Sequence, residues 1–340
     1  MKKILIATSA LVAVAFTGQA QASEPIKLSV GGYMNQWAGF ADQEVGDRNN
    51  AFQSDTEIHF KGSTTLDNGI EVGAVVELEG ETSGDQIDEQ YLFVNGGFGR
   101  IEMGKNDSAA DSMQLVAPAV GPVGINDGDL DIWVDSYLID TTIPTGDQNR
   151  VTYYTPSFGG FRAGVSFADD SNRNGANGYN NQDGSGDNIV SGGLEYEADL
   201  NGISLGVSAI GENWGEGNLV GGGLNVGFGN FTVGGSYSHT DDDYGFSEGD
   251  SDPDDTDQFD IGVSYEMDAA AVSLTYGYAE YGNGSRGDGT GEISTADLGL
   301  AYTLGAGVEW KSSIFWFDDE VDGAEDNDGY GVVTGFALTF

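Results

Sequence analysis

Carboxylates are the most abundant chemically active side chains of this sequence, and one long segment collects them without any counter-charge. Between residues 106 and 148 there are eight aspartates and no basic residue. Within NDGDLDIW, Asp127, Asp129 and Asp131 alternate, which gives a set of oxygen ligands suited to Ca²⁺. The glycine at position six and the glutamate at position twelve of an EF-hand loop are missing, so that motif is excluded. The three aspartates stay candidates for a calcium site of less regular geometry, and we predict that the protein requires no cofactor.

Groups that catalyse reactions are scarce. His59 and His239 are the two histidines, and there is no cysteine. No G-x-S-x-G elbow, phosphate-binding loop or zinc-ligand spacing is found in the sequence. His59 could pair with a serine as in an outer-membrane lipase, but its neighbours Glu57 and Lys61 favour an ordinary place on a polar face. We therefore predict that the protein is not an enzyme.

The net charge and the N-terminal residues restrict the expected location and partners of the protein. The chain has 12 basic and 56 acidic residues, a formal charge of −44, which disfavours nucleic acid as a partner. Residues 1–22, MKKILIATSALVAVAFTGQAQA, combine two lysines, an apolar core and an Ala-Gln-Ala sequence typical of a signal-peptidase cleavage site. They are predicted to be a cleaved signal peptide, because the core is too short to span a membrane. Residues 23–340 then form one exported domain.

Within that domain, apolar and polar residues alternate with a period of two. TEIHFKGSTTL places Ile58 and Phe60 on one face, and Glu57, His59 and Lys61 on the other. A DNG turn leads into IEVGAVVELEG, which alternates in the same way, so the two segments predict a hairpin. About sixteen such segments follow one another. Tight turns alternate with long, acidic, glycine-rich connections, as in a barrel inserted into a membrane from one side.

Alternation alone fits either a soluble sandwich or a membrane barrel. Segments of about ten residues favour the barrel, because they cross a bilayer when tilted. Aromatic residues near strand ends, among them Tyr33, Trp37 and Phe40 and the run 315–317, are expected to form an interfacial girdle. Glycine on the polar faces is expected where no close-packed core fills the interior. We predict an all-β protein, a 16-stranded antiparallel transmembrane β-barrel.

Four segments carry a resemblance to a known family. They are FGRIEMGK (98–105), NRVTYYTPSFGGFRAGVSF (149–167), the first strand LSVGGYMNQWAGF and the terminal Phe340. Together they resemble a Gram-negative general-diffusion porin, over residues 23–340 and through pattern more than identity. The resemblance implies a homotrimeric pore in the cell outer membrane, in contact with its lipid and lipopolysaccharide, that transports ions and small hydrophilic solutes. It also implies that the strand ending on Phe340 is read by the outer-membrane insertion machinery.

The resemblance further implies that the third loop, roughly residues 106–148, folds into the lumen as a constriction. The acidic constriction residues are then Asp107, Asp111, Asp127, Asp129, Asp131 and Asp135. Five basic residues are predicted on lumen faces near this loop: alternation places Lys61, Arg100, Arg150 and Arg162 there, and Lys105 stands at the root of the loop. We predict a transverse field between loop and wall, and a preference for cations because carboxylates are in excess. The alternative left open is that the loop acids are solvated and the arginines pair with lumen glutamates.

Two other functions stay open at this point. A substrate-specific porin would need an aromatic track along the lumen, for which Tyr33, Tyr153 and Tyr154 are the candidates. A secreted acidic calcium-binding β protein or adhesin would share the composition but would leave the membrane fraction. The acidic segment 241–257 is either a solvated loop or a place where divalent cations bridge to lipopolysaccharide.

Overall fold

The computed structural model describes residues 25–46, 50–81, 86–126, 130–143, 145–170, 187–246, 254–283 and 289–340. The predicted signal peptide, residues 1–22, lies outside these ranges and stays a prediction. Within the described residues, no helix is both long and apolar enough to cross a membrane.

Sixteen antiparallel strands close into one barrel, which confirms the predicted fold class. The strands are Lys27–Gln43 (β1), Asn50–Thr65 (β2), Glu71–Glu79 (β3), Ile87–Gly96 (β4), Gly99–Asn106 (β5), Gln148–Tyr154 (β6), Phe161–Asp170 (β7), Asp187–Asp199 (β8), Ile203–Trp214 (β9), Gly217–Phe228 (β10), Phe231–Thr240 (β11), Thr256–Met267 (β12), Ala270–Asn283 (β13), Gly289–Gly305 (β14), Val308–Val321 (β15) and Asn327–Thr339 (β16). Between β5 and β6 lie a 3-10 turn, Asp111–Met113, and a one-turn helix, Leu130–Trp133 (α1).

The alternating pattern sets which face of each strand meets the outside. On β16, Tyr330, Val332 and Phe336 are exposed on the outer surface, while Val333 is fully buried inside. On β5 and β6, Ile101 and Val151 also face outward. The apolar stripe therefore covers the outside of the barrel, and the polar stripe lines its lumen, as expected of strands that face lipid.

The chain terminus completes the closure of the barrel. β1 pairs with β16 from Tyr33 opposite Thr339 to Gln43 opposite Gly329. Beyond the strand, the Phe340 N–H donates to the Gly32 carbonyl at 3.1 Å, and the Gly32 N–H donates to the Phe340 carbonyl at 3.0 Å. In a barrel closed in this way, no strand edge exposes unpaired backbone N–H and C=O groups to hydrocarbon. Phe340 is thus hydrogen-bonded to the neighbouring strand, with its ring exposed.

The described part of the third loop, residues 107–126, 130–143 and 145–147, lies inside the barrel along its inner wall. Its backbone N–H groups donate to serine hydroxyls that point inward from four strands of the wall. Ala109 binds Ser166 of β7 at 2.7 Å, and Leu115 binds Ser208 of β9 at 3.0 Å. Val120 binds Ser273 of β13 at 3.0 Å, and Val123 binds Ser313 of β15 at 3.2 Å. These serines satisfy buried donors that a loop without secondary structure would otherwise leave unpaired.

Glycines on the inner face make room for the loop. A Cβ built on Gly223 would collide with the Leu115 carbonyl oxygen, and one on Gly193 would lie 2.9 Å from the Met113 Cβ. A Cβ on Gly164 would lie 2.7 Å from the Ala109 Cβ. The expectation that glycine marks an interior without close packing is therefore wrong, because these glycines lie where the loop packs on the wall.

Filling this space should loosen the loop. We expect Gly223→Val to destabilise the seated loop by about 1–3 kcal/mol through overpacking, and to expose it to protease. The measurement is limited proteolysis of the folded, detergent-solubilised protein. Gly97→Val is the matched control, since a Cβ there would have no neighbour within 4 Å. Equal cleavage of the two variants would contradict the packing role.

Several aromatics predicted for an interfacial girdle lie inside the barrel instead. Trp37, Phe315 and Phe317 are almost completely buried and pack against Val123 and Trp133 of the third loop. Alternation gives the reason, because odd positions of β1 and β15 face inward. Phe40 and Trp316, on the even positions, do lie on the outside.

Candidate functional site

The loop aspartates occupy two different settings. Asp107 and Asp111 are partly buried at the start of the loop, close to β6. Asp131, in α1, and Asp135 are exposed, and the Asp135 N–H donates to the Gln43 side chain at 3.0 Å. Asp127 and Asp129 lie outside the described residues. The calcium site predicted at Asp127, Asp129 and Asp131 therefore stays a prediction.

Asp107 and Asp111 act as a pair. Burial raises the pKa of both carboxyls, and the neighbouring Asp107 helps to raise the pKa of Asp111 to about 8. The two carboxyls interact directly, and two neighbouring like charges favour protonation of one of them. The Ile143 N–H also donates to Asp111, at 3.4 Å, so this pair joins the two ends of the third loop.

Alkaline conditions should therefore loosen the loop. A carboxyl whose pKa is raised on folding favours the folded arrangement below its folded pKa, and this contribution is lost between its ordinary value of 3.8 and about 8. We expect protease to cut the third loop faster at about pH 9.5 than at about pH 6, relative to a casein standard. Asp111→Asn imitates the protonated acid and should reduce the difference. Equal relative rates at both pH values would argue against this role.

Three predicted wall bases are paired with carboxylates of the wall. The Arg100 Nε lies 2.5 Å from Glu102, and its guanidinium stacks over Phe93 with 4.1 Å to the ring centroid. Arg162 lies 2.8 Å from Glu195, and Lys61 lies 3.2 Å from Glu77. The closest counter-charges of Arg100, Arg162 and Lys61 are thus lumen glutamates, which corresponds to the alternative left open above.

The other two bases lie at the root of the third loop. Lys105 is buried and its Nζ donates to the Ile87 carbonyl at 2.7 Å. Arg150, only 3% exposed, donates to the Gly146 carbonyl and is surrounded by the carboxylates of Glu212, Asp107, Asp147 and Asp111. Of the five predicted wall bases, Arg150 is the one that these contacts bring to the loop acids.

The lumen face of β2–β5 is acidic. Register places these carboxylates on it: Asp55, Glu57, Glu71, Glu77, Glu79, Asp88, Glu89 and Glu102. Within the described strands β2–β5, the lysines and arginines that accompany these carboxylates are only Lys61, Arg100 and Lys105. A register shift between Val76 and Leu78 explains how Asp88 and Glu89, which are consecutive, both turn inward. Alternation placed Glu57 on a polar face, but the acidic wall as a whole, now called the β2–β5 wall, was not predicted from sequence.

Wall and loop acids meet at one point. Carboxylate oxygens of Glu89, Asp107 and Asp147 all lie within 4.8 Å of one another. Burial and the charges of Asp107 and Asp88 raise the pKa of Asp147 to about 9. A carboxyl with a pKa of about 9 is largely protonated at neutral pH, so the negative charge of this part of the lumen lies mainly on the other acids of the β2–β5 wall.

Comparison with known proteins agrees with this geometry. The family model described as "Gram-negative porin" matches residues 7–322. The chain belongs to this family. A curated relative, "Porin" from Rhodobacter capsulatus, is 31% identical over 119 residues, which are 35% of this chain and 38% of the relative. The match thus spans well under half of that relative's length.

Solved structures show the same fold. An anion-selective porin from Comamonas acidovorans has a TM-score of 0.63 at 16% identity, over 93% of this chain and 100% of that one. A loop-deletion mutant of OmpT, an outer membrane protein of Vibrio cholerae, has a TM-score of 0.64 at 13% identity, over 93% and 100% of the two chains. Because one neighbour is anion-selective, the selectivity of this porin has to be argued from its own charges.

The three candidate tyrosines of an aromatic track do not share one surface. Tyr33 faces the lumen beside His59, with 6.1 Å between ring centroids. Tyr153 faces outward and donates to the Phe98 carbonyl at 2.7 Å. Tyr154 is buried, and its hydroxyl donates to Ser112 of the third loop at 3.0 Å. Tyr154 therefore supports the loop of this porin and does not line a solute path with the other two.

Proposed function

We propose that this porin is a passive outer-membrane channel that prefers cations and passes ions and small hydrophilic solutes. The observation that carries the proposal is the acidic β2–β5 wall, which stands in the same lumen as the acidic third loop. The loop narrows the lumen and limits solute size. The carboxylates attract cations and repel anions over about 10 Å at 0.1 M salt, and less at higher salt. The mechanism needs no energy source and no covalent chemistry.

The transverse field across the lumen is proposed with fewer basic residues than predicted, in agreement with the ion pairs described above. Arg150 lies among the loop acids, whereas Arg100, Arg162 and Lys61 are compensated by wall glutamates. The remaining field would arise from Arg150 and Lys105 at the loop root. Calcium at Asp127, Asp129 and Asp131 is proposed as an accessory ligand of the loop.

A homotrimer is proposed as the assembled state. Its support is a polar patch on the outer surface of β15, β16, β1 and β2. There the Gln36 amide donates to Ser54 at 2.6 Å, and Ser312 and Thr334 share a hydrogen bond of 2.7 Å. Exposed polar groups within membrane-spanning strands are costly against hydrocarbon, and a neighbouring subunit would cover them. Outer-membrane lipid, lipopolysaccharide and recognition of Phe340 by the insertion machinery complete the proposed partners.

Planar-bilayer recording tests the proposal. We expect conductance steps grouped in threes, and a reversal potential of cation-selective sign with an upper limit of about 59 mV for a tenfold potassium chloride gradient. A reversal potential of anion-selective sign would refute the selectivity. Absence of conductance from folded protein, together with release from the membrane pellet, would favour the secreted calcium-binding β protein or adhesin.

A further inference from the structure

His59 lies in a compact group of acids on the β2–β5 wall. In the register of β2 and β3, His59 stands opposite Glu77, and Glu57 stands opposite Glu79. The His59 Nε2 lies 2.7 Å from Glu57 Oε2, and its Nδ1 lies 3.5 Å from Glu77 Oε1. Both ring nitrogens thus point to carboxylates, one along the strand and one across to the next strand.

The ligand atoms already converge. Glu57, His59 and Glu77 each contribute one potential ligand atom, and these three atoms lie within 4.8 Å of one another. The same is true of Glu57, Glu79 and Asp88. An imidazole nitrogen together with carboxylate oxygens suits Zn²⁺ and other divalent transition ions, whereas Mg²⁺ and Ca²⁺ prefer oxygen ligands alone. We propose that Glu57, His59 and Glu77 bind a divalent transition-metal ion of the Zn²⁺ class in the lumen.

Charge in the sheet favours such an ion. Glu57 and Glu79 are directly opposed, an arrangement of like charges that destabilises a strand pair. Among the described residues, Lys61 reaches this group only at Glu77, and its side chain is 53% exposed. A divalent ion bound to Glu57 would neutralise the pair. The side chains of His59, Glu57 and Glu77 are 21%, 15% and 11% exposed, so ions in the lumen reach them.

Metal binding would regulate the channel, an effect that rests on the proposed function. An ion bound at Glu57, His59 and Glu77 places positive charge on the wall that attracts cations. Cation flux then falls because the local potential becomes less negative. The site shares no residue with the loop-root cluster of Glu89, Asp107 and Asp147, which contains oxygen ligands alone.

The test compares two histidines. His239 also lies beside carboxylates, with its Nδ1 3.1 Å from Asp257, but it stands on the outward face of β11. Zinc chloride is titrated against the trimer in a potassium chloride bilayer, with magnesium chloride as the parallel titration. Micromolar zinc should lower wild-type and His239→Gln conductance by roughly twofold or more, and leave His59→Gln unchanged. Magnesium should have a much smaller effect on all three.

Direct binding gives a second readout. Competition with a chromophoric zinc chelator should show micromolar binding to detergent-solubilised wild type and a loss of about tenfold or more in affinity in His59→Gln. Equal zinc responses of His59→Gln and wild type in either assay would overturn the site. Zinc binding without any potassium conductance would support the site and refute the channel proposal. Normal conductance without zinc binding would refute the site alone.

Discussion

Replacement of Glu57, Glu77, Glu79 and Asp88 by their amides is expected to lower the cation-to-anion permeability ratio at least about fivefold. Each carboxylate stabilises a cation 8 Å away by about 0.5 kcal/mol in water, which screening at 0.1 M salt reduces by roughly half. Four such charges acting together still change the local cation concentration roughly fivefold, and they deplete anions in the same proportion. The measurement is the reversal potential in a potassium chloride gradient.

The matched control removes equal charge elsewhere. Asp67, Glu266, Glu325 and Asp328 are exposed residues at turns and strand ends, and their amides give the same change in net charge. That control should keep most of the selectivity, since its charges lie away from the β2–β5 wall. If both quadruple variants shift the reversal potential equally, selectivity comes from overall charge and the role of the wall is wrong. The loss should also be larger at low salt, where screening is weaker.

Sequence predicted the barrel well because alternation reports which face of a strand is apolar. The outward faces of β5, β6 and β16, the closure at Phe340 and the loop in the lumen all follow from pattern and resemblance. Alternation does not report what fills the interior. Trp37 and Phe315 therefore looked like girdle residues, although their odd positions already placed them inside.

The site was harder to predict for two physical reasons. The bulge that turns Asp88 and Glu89 to the same side breaks the period of two, so alternation assigns one of them to the wrong face. Ion pairing depends on neighbours across and along strands, which a single strand pattern does not specify. One signal was available, since Arg100 and Glu102 are two residues apart and share a face.

Removal of the serine contacts should produce the largest change in conductance. Ser208, Ser273 and Ser313 accept backbone N–H donors of the third loop, and alanine at these positions removes the partners of one buried and two half-buried donors. An unpaired buried donor costs about 1–3 kcal/mol, so the triple variant loses at least about that much of the loop attachment. The loop then leaves the wall for part of the time, and the lumen is no longer narrowed.

We expect the triple alanine variant to show a larger mean single-channel conductance with frequent switching between levels, since the loop alternates between a seated and a released state. Alanine at Ser29, Ser204 and Ser294 removes the same groups at positions that do not accept these loop donors, and it should leave conductance steady. Selectivity should fall together with the rise in conductance, because a wider lumen holds ions farther from the β2–β5 wall and its potential is screened over about 10 Å at 0.1 M salt. A triple variant with wild-type conductance and no switching would mean that packing of Trp37, Phe315 and the wall glycines holds the loop without the serines.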